Sequence, residues 1–266
     1  MQQRLGQLGT QLFAYAQLRK LRTLATGDLV RNLRISSKQE RELFSRLNRA
    51  QFIAQVRRGL YLIPERLPLG GKWSPDEILA VNTLMEDQQG RYQICGPSAF
   101  NRYGFDEQVP TRVYAYNNRL SGDRNIGAVA LTLIKVADER LGGVEEIQTS
   151  DGLTALYSSR ARSLIDAVYD WSRFNTLPRA YAWIRRELAA DRVTASELVS
   201  LTLQFGDKGT QRRIGALLER EGVSEVQLRK LRHALPATTG LIPWIPTEPK
   251  RGTIDRRWGV VWNEPA

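Results

Sequence analysis

The chain has 266 residues, a length that suggests two domains, and its 42% hydrophobic content is enough for ordinary cores. One cysteine, Cys95, excludes an internal disulfide and a cysteine-based zinc site, and one histidine, His233, leaves little for histidine-dependent catalysis or metal binding. The formal charge of +11 is unevenly spread: residues 1–72 hold 14 Lys and Arg against 4 Asp and Glu, whereas residues 73–266 hold 25 against 24. A cationic leading segment joined to a neutral remainder is the electrostatic pattern of a nucleic-acid module with a partner domain.

Residues 3–22 read as a helix, with Leu5, Leu8, Leu12, Tyr15, Leu18 and Leu21 at steps of three and four. It is either the first helix of a winged-helix core or a dimerisation arm. Arg19, Lys20 and Arg22 at its end either touch backbone phosphate or complement the helix dipole. The longest apolar run near the start, Leu12 to Ala16, is too short for a signal peptide or a membrane span. No acidic residue precedes Asp28, but the serine enrichment of a transit peptide is missing. A soluble cytoplasmic protein without membrane contact is expected.

The stretch Leu24 to Pro64 carries the strongest pattern. A short helix is expected over Thr26 to Leu33, then the turn Arg34-Ile35-Ser36, a longer helix over Ser37 to Ala50, and a hairpin. The hairpin strands are Phe52 to Val56 and Leu60 to Ile63, with Arg57-Arg58-Gly59 at the tip. At about 100° per residue, Leu43, Phe44, Leu47 and Ala50 fall on one side of the longer helix, and Lys38, Arg41, Ser45 and Arg49 on the other. Such a helix can lie in a major groove, where Arg and Lys read guanine edges and Ser meets base or phosphate. Lys38, Arg41 and Ser45 are therefore expected to face bases, and Arg49, Arg57 and Arg58 to hold phosphate. Ser36 or Ser37 caps the helix and turns its N-terminus towards phosphate; Ser36 is included among the DNA-binding residues. The alternatives are a surface helix with solvated charges, and a protein-interaction module whose basic N-terminal domain docks an acidic partner.

Pro64 to Trp73, with two prolines and adjacent glycines, reads as a linker. Ser74-Pro75-Asp76-Glu77 then opens a helix, with Ser74 as cap and Glu77 completing a capping box, ending near Asp87. Tyr92 to Cys95 is a short strand and Gly96 to Tyr103 a short helix stopped by Gly104. Strands are expected over Arg112 to Tyr116, Ala128 to Val136, Val144 to Gln148 and Thr154 to Ser158, separated by turns at Ser121-Gly122-Asp123 and Gly142-Gly143. Helices follow over 160–171, 178–190, 194–205, 208–221 and 224–234, and an extended tail, Leu241 to Asn263, holds Trp244, Trp258 and Trp262. The expected fold class is α+β: a winged helix-turn-helix domain over 1–72, with its N-terminal helix and linker, then a larger mixed α+β domain over 73–266.

Candidate chemistry is sparse. Gly96-Pro97-Ser98 lacks the second glycine of a nucleophile elbow, and Ser98 reads as a cap. Asp166 and Asp170 share a helix face and could hold a cation, but Arg162 and Arg173 are the favoured ion-pair partners. Arg212 and Arg213 either bind an acidic surface or a second stretch of DNA, or are solvated. No catalytic residue, cofactor or metal site is expected.

Five ordered segments resemble the AbiEi-type antitoxin regulators of bacterial type IV toxin–antitoxin systems. They are Leu47-Asn48-Arg49-Ala50-Gln51-Phe52-Ile53 running into Val56-Arg57-Arg58-Gly59-Leu60-Tyr61; Gly96-Pro97-Ser98-Ala99-Phe100 with Tyr103-Gly104-Phe105; Arg160 to Asp166; Arg212 to Glu219; and Arg257 to Asn263. Trp262 departs from the pattern, where a smaller apolar residue is expected. The resemblance implies an N-terminal winged helix that represses its own operon at inverted repeats in the promoter duplex, an arrangement compatible with a dimer on the DNA. It also implies a C-terminal domain that counters a nucleotidyltransferase-like toxin, with direct contact left open. The family's wing and recognition-helix positions match Arg57, Arg58, Lys38 and Arg41.

Overall fold

The computed structural model describes residues 5–68, 71–236 and 240–264. Residues 3 and 4 of the expected first helix, and Leu69-Gly70 of the expected linker, lie outside these. The chain is α+β. In order its elements begin with α1 (Gly6–Leu18), β1 (Thr23–Ala25), α2 (Asp28–Leu33), α3 (Ser37–Arg49), β2 (Ala54–Arg57), β3 (Leu60–Leu62) and α4 (Glu77–Asp87). Next come β4 (Tyr92–Ile94), α5 (Gly96–Arg102), β5 (Val113–Asn117), β6 (Gly122–Ile126), β7 (Val129–Lys135), β8 (Val144–Gln148) and β9 (Thr154–Ser158). The rest is α6 (Arg160–Tyr169), α7 (Trp171–Phe174), α8 (Arg179–Ala189), α9 (Ala195–Phe205), α10 (Lys208–Arg220), α11 (Glu225–Ala234), β10 (Ile242–Pro243), β11 (Thr253–Asp255) and β12 (Val260–Trp262).

Contacts divide the chain into two units interleaved in sequence, where the sequence reading set one boundary at 72/73. One unit is Met1–Tyr92, Thr111–Lys135 and Gln148–Ala155; the other is Gln93–Pro110, Val136–Ile147 and Leu156–Ala266. In the first unit, β1, β3 and β2 pair antiparallel in that order, with Leu62 opposite both Thr23 and Ala54. Helices α1, α2 and α3 enclose Leu12, Phe13, Leu29, Leu43, Phe44 and Leu47, all buried. Strands β6, β7 and β5 lie side by side, β6 antiparallel and β5 parallel to β7. Helix α4 packs against β2 and β7.

Three local readings are corrected. Asp76, not Ser74, caps α4: its carboxylate accepts the N–H groups of Ile78 and Leu79, while the Ser74 hydroxyl accepts from Ala128 N–H. Gly122-Asp123 opens strand β6 rather than forming a turn; its first four residues are exposed and polar, so no hydrophobic alternation announced it. The first helix ends at Leu18, short of the expected residue 22, and Thr23–Ala25 form a strand, β1, that the sequence reading did not include.

In the second unit Ile94 of β4 pairs in parallel with Tyr157 of β9, and α6 forms the centre of a helical layer with α5, α8, α9 and α10. Leu164 and Ile165 on α6 are fully buried. The tail closes as a three-stranded sheet, with β12 between parallel β10 and antiparallel β11. Trp244 stacks on Tyr181 with ring centroids 3.6 Å apart, and the Tyr181 hydroxyl donates to the Trp244 carbonyl at 2.7 Å.

Trp258 fits against α10 because residue 215 is glycine: a Cβ there would lie 2.1 Å from the indole Cζ3. Gly215→Ala sets a helix-propensity gain of about 1 kcal/mol against overpacking that costs roughly 1–3 kcal/mol or more. With Trp258 only 1% exposed, the ring has little room to yield, so packing wins. Urea unfolding of Gly215→Ala is expected to show a net loss of about 2 kcal/mol; unchanged or raised stability would contradict this packing.

Candidate nucleic-acid interface

The interface starts with how α2 and α3 are joined. Helix α2 ends at Leu33; Arg34 takes the left-handed conformation at φ 55°, and Ile35 leads into Ser36, the cap of α3. The Ser36 hydroxyl accepts from Gln39 N–H at 3.2 Å, and the Gln39 side chain accepts from Ser36 N–H at 2.8 Å, a reciprocal capping box. Of the two candidate caps, Ser36 is the one used.

A residue missing from the sequence reading holds the pair in place. Glu40, on α3, is completely buried. Its carboxylate accepts from the N–H groups of Gly27 at 2.8 Å, Leu29 at 2.9 Å and Val30 at 3.4 Å. Gly27, the residue before α2, has no side chain to serve as a cap. Glu40 therefore caps α2 from the neighbouring helix, and its charge meets the positive end of the α2 dipole. The signal was present: the helical wheel places Glu40 between Leu47 and Phe44, inside the buried arc. Within the same buried arc of α3, Phe44 stacks on Tyr61 of β3 at 4.5 Å. Burial, and then the Glu40 carboxylate, push the Tyr61 hydroxyl above the usual tyrosine range.

All seven residues expected to meet DNA are exposed: Ser36, Lys38, Arg41, Ser45, Arg49, Arg57 and Arg58. Lys38, Arg41, Ser45 and Arg49 come together on the α3 face opposite Leu43, Leu47 and Glu40. Arg49 donates to the Ser45 hydroxyl at 3.2 Å. The side chains of Lys38, Arg41 and Arg58 have no ion-pair or hydrogen-bond partner among the described residues, and the Arg58 carbonyl accepts from Arg57 at 3.0 Å. Glu42 is also exposed on this helix.

Arg57 has a different setting. A register shift between Gln55 and Arg57 marks a bulge in β2, and Arg57 is the last residue of the strand, leaving Arg58-Gly59 as the tip. Its guanidinium makes a two-pronged pair with Asp87 of α4, Nε to Oδ2 at 2.7 Å and a terminal nitrogen to Oδ1 at 2.5 Å. Those hydrogen bonds hold the Asp87 carboxyl below the usual aspartate range. Gly59, at φ 84°, supplies the positive-φ turn that lets β3 return. Of the cations ending the first helical region, Arg22 pairs with Glu65 at 2.7 Å.

In the second unit Arg212 and Arg213 are buried and donate to the carbonyls of Gly240 and Pro243. They are neither solvated nor presented to a partner. Asp166 pairs with Arg162 at 2.9 Å, both fully buried, and Asp170 with Arg173 at 3.6 Å. Ser98 does not cap α5; its N-cap residue is Cys95, which makes no side-chain cap bond. Among the described residues no group of three or more His, Cys, Asp or Glu is placed to hold a metal, and no helix is long and apolar enough to cross a membrane.

No protein-family model and no curated protein matches the chain. Among solved structures it is similar to the RV2827C protein from Mycobacterium tuberculosis, with 14% identity and a TM-score of 0.61 over 97% of this chain and 92% of that one. At this identity the likeness is one of fold.

Removing the Glu40 carboxylate leaves the buried Leu29 N–H, and its neighbours, without an acceptor. Glu40→Ala is expected to cost about 3 kcal/mol, and Glu40→Gln, which keeps an amide oxygen, roughly half of that, both read by urea unfolding. A loss no larger than that of an exposed substitution would contradict the role of Glu40 as the cap of α2.

Proposed function

We propose that residues 5–68 form a winged helix-turn-helix domain that binds double-stranded DNA, with α3 in the major groove and β2–β3 as the wing. The observation that carries this reading is the exposed α3 face of Lys38, Arg41, Ser45 and Arg49, directly opposite the helix's buried side. The element order α1, β1, α2, α3, β2, β3 and the sheet order β1-β3-β2 support it. So does the charge excess of residues 1–72.

In this reading Lys38, Arg41 and Ser45 meet base edges and Arg49 and Arg58 meet phosphates. Arg57 reaches phosphate only by giving up part of its pairing with Asp87, so Arg58 is the stronger wing contact. Ser36 presents the N-terminus of α3 to the backbone.

The resemblance to AbiEi-type regulators extends the proposal to a cytoplasmic autorepressor acting at inverted repeats, and an antitoxin that counters a nucleotidyltransferase-like toxin. Its support in the second unit is that two of the resembling segments, Arg212 to Glu219 and Arg257 to Asn263, pack on each other through Gly215 and Trp258.

Gel-shift titrations on promoter DNA at two salt concentrations test the DNA assignment. Arg41→Ala is expected to lose about 1–3 kcal/mol on the preferred sequence and to relax the choice of one base pair. Arg58→Ala is expected to weaken all sequences alike and to lower the salt slope by about one. Equal losses for both variants on specific and random duplexes would contradict this division of roles.

A further inference from the structure

The first unit contains a cavity of about 600 Å³ whose lining shares only Arg57 with the proposed DNA contacts. Its walls come from the C-terminal end of α3, strand β2, residues 72–74 and the turn between β6 and β7. The volume falls in the range of about 300–1,000 Å³ typical of small-molecule sites. The lining is unusual in composition. It contains no carboxylate, four side-chain amides from Asn48, Gln51, Gln55 and Asn125, the Lys72 ammonium and the half-buried Trp73 ring.

Most of these groups have capacity to spare. The Asn48 oxygen accepts from Gln55 N–H at 3.0 Å, which fixes its amide and leaves the NH₂ group to donate. Trp73 is held by its backbone, whose N–H donates to the Gln51 carbonyl at 2.7 Å. Its indole takes no ring or hydrogen-bond partner among the described residues. Lys72 likewise has no carboxylate partner. Arg57 also lines the cavity but is engaged by Asp87.

A cation without a counter-charge suits an anionic group, a flat ring face suits stacking, and paired amides suit the edge of a heterocycle. We propose that this cavity binds a nucleoside monophosphate, its phosphate at Lys72, its base against Trp73, and its base edge read by the amides. Asn48 belongs to α3 and Gln55 to β2, so occupancy bears on the proposed reading helix and wing. That consequence rests on the DNA reading, but the site does not. The titration below needs no duplex, so its failure and a failure of DNA binding are separate results.

Calorimetric titration of the full chain with AMP, GMP, CMP and UMP tests the site, with inorganic phosphate and adenosine as partial probes. At least one nucleotide is expected to bind saturably, and each partial probe about tenfold more weakly. Trp73→Ala and Lys72→Glu are each expected to weaken the nucleotide by about tenfold, the lower end of what one stacked base contributes. Lys72 is exposed, so its charge reversal leaves the fold intact and remains a fair test if Trp73→Ala unfolds. No saturable binding of any nucleotide in the millimolar range would overturn the proposal. So would nucleotide affinity unchanged in Lys72→Glu, or phosphate binding as tightly as the nucleotide.

Discussion

A buried carboxylate needs partners, and the arrangement of α2 and α3 follows from where Glu40 finds them. An unpaired charge with no exposure to water would be heavily penalised. Three backbone N–H groups at the start of α2 remove that penalty, and their helix adds its dipole. Because the donors belong to one helix and the acceptor to the next, the bond network sets the two helices relative to each other. The Phe44–Tyr61 stack, in the same buried arc, ties α3 to β3. With Glu40, Leu43, Phe44 and Leu47 all turned inward, helical geometry leaves Lys38, Arg41, Ser45 and Arg49 no option but solvent or a ligand. The cationic face is thus a consequence of how the opposite face is anchored.

Much of this was legible because short-range rules acted without competition. The pair Ser36-Ser37 marked the start of α3 to within one residue, the Ser36–Gln39 capping box deciding between them only in the fold, and Gly59 marked the hairpin turn. Leu43, Phe44 and Leu47 stood out as a buried stripe. The face assigned to DNA is the face the fold exposes. What escaped depended on partners distant in sequence. Asp76 won the α4 cap from Ser74 because the Ser74 hydroxyl is taken by Ala128, 54 residues away. Arg57 read as a free tip residue because Asp87 lies 30 residues on. Strand β1 is three residues long, too short for any period to show, and β6 is exposed and polar along most of its length.

The second unit handles charge in the opposite way. Arg162, fully buried on α6, donates to Asp166 and to the carbonyls of Arg140 and Gly142, and lies over the Phe205 ring at 3.7 Å. Arg160 and Arg192 converge on the buried Glu187. Arg212 and Arg213 each turn one terminal nitrogen to a backbone carbonyl. Motifs such as Arg160 to Asp166 therefore work as internal fasteners of a helical core, where arginine's planar fork serves several acceptors at once. Residues that look like a basic patch in the sequence of α10 are inside, whereas those on α3 are outside. Counting charges could not separate the two; only the identity of the facing elements does.

The claim at the centre is that the exposed flank of α3 enters a major groove and reads base edges. Duplexes retained by the full chain from a random pool, then probed by methylation of guanine N7, test it directly, since that methyl projects into the major groove alone. The account predicts a shared sequence among the retained duplexes and loss of binding when guanines within it are methylated. Retained duplexes with no common sequence, bound equally well after N7 methylation, would contradict it.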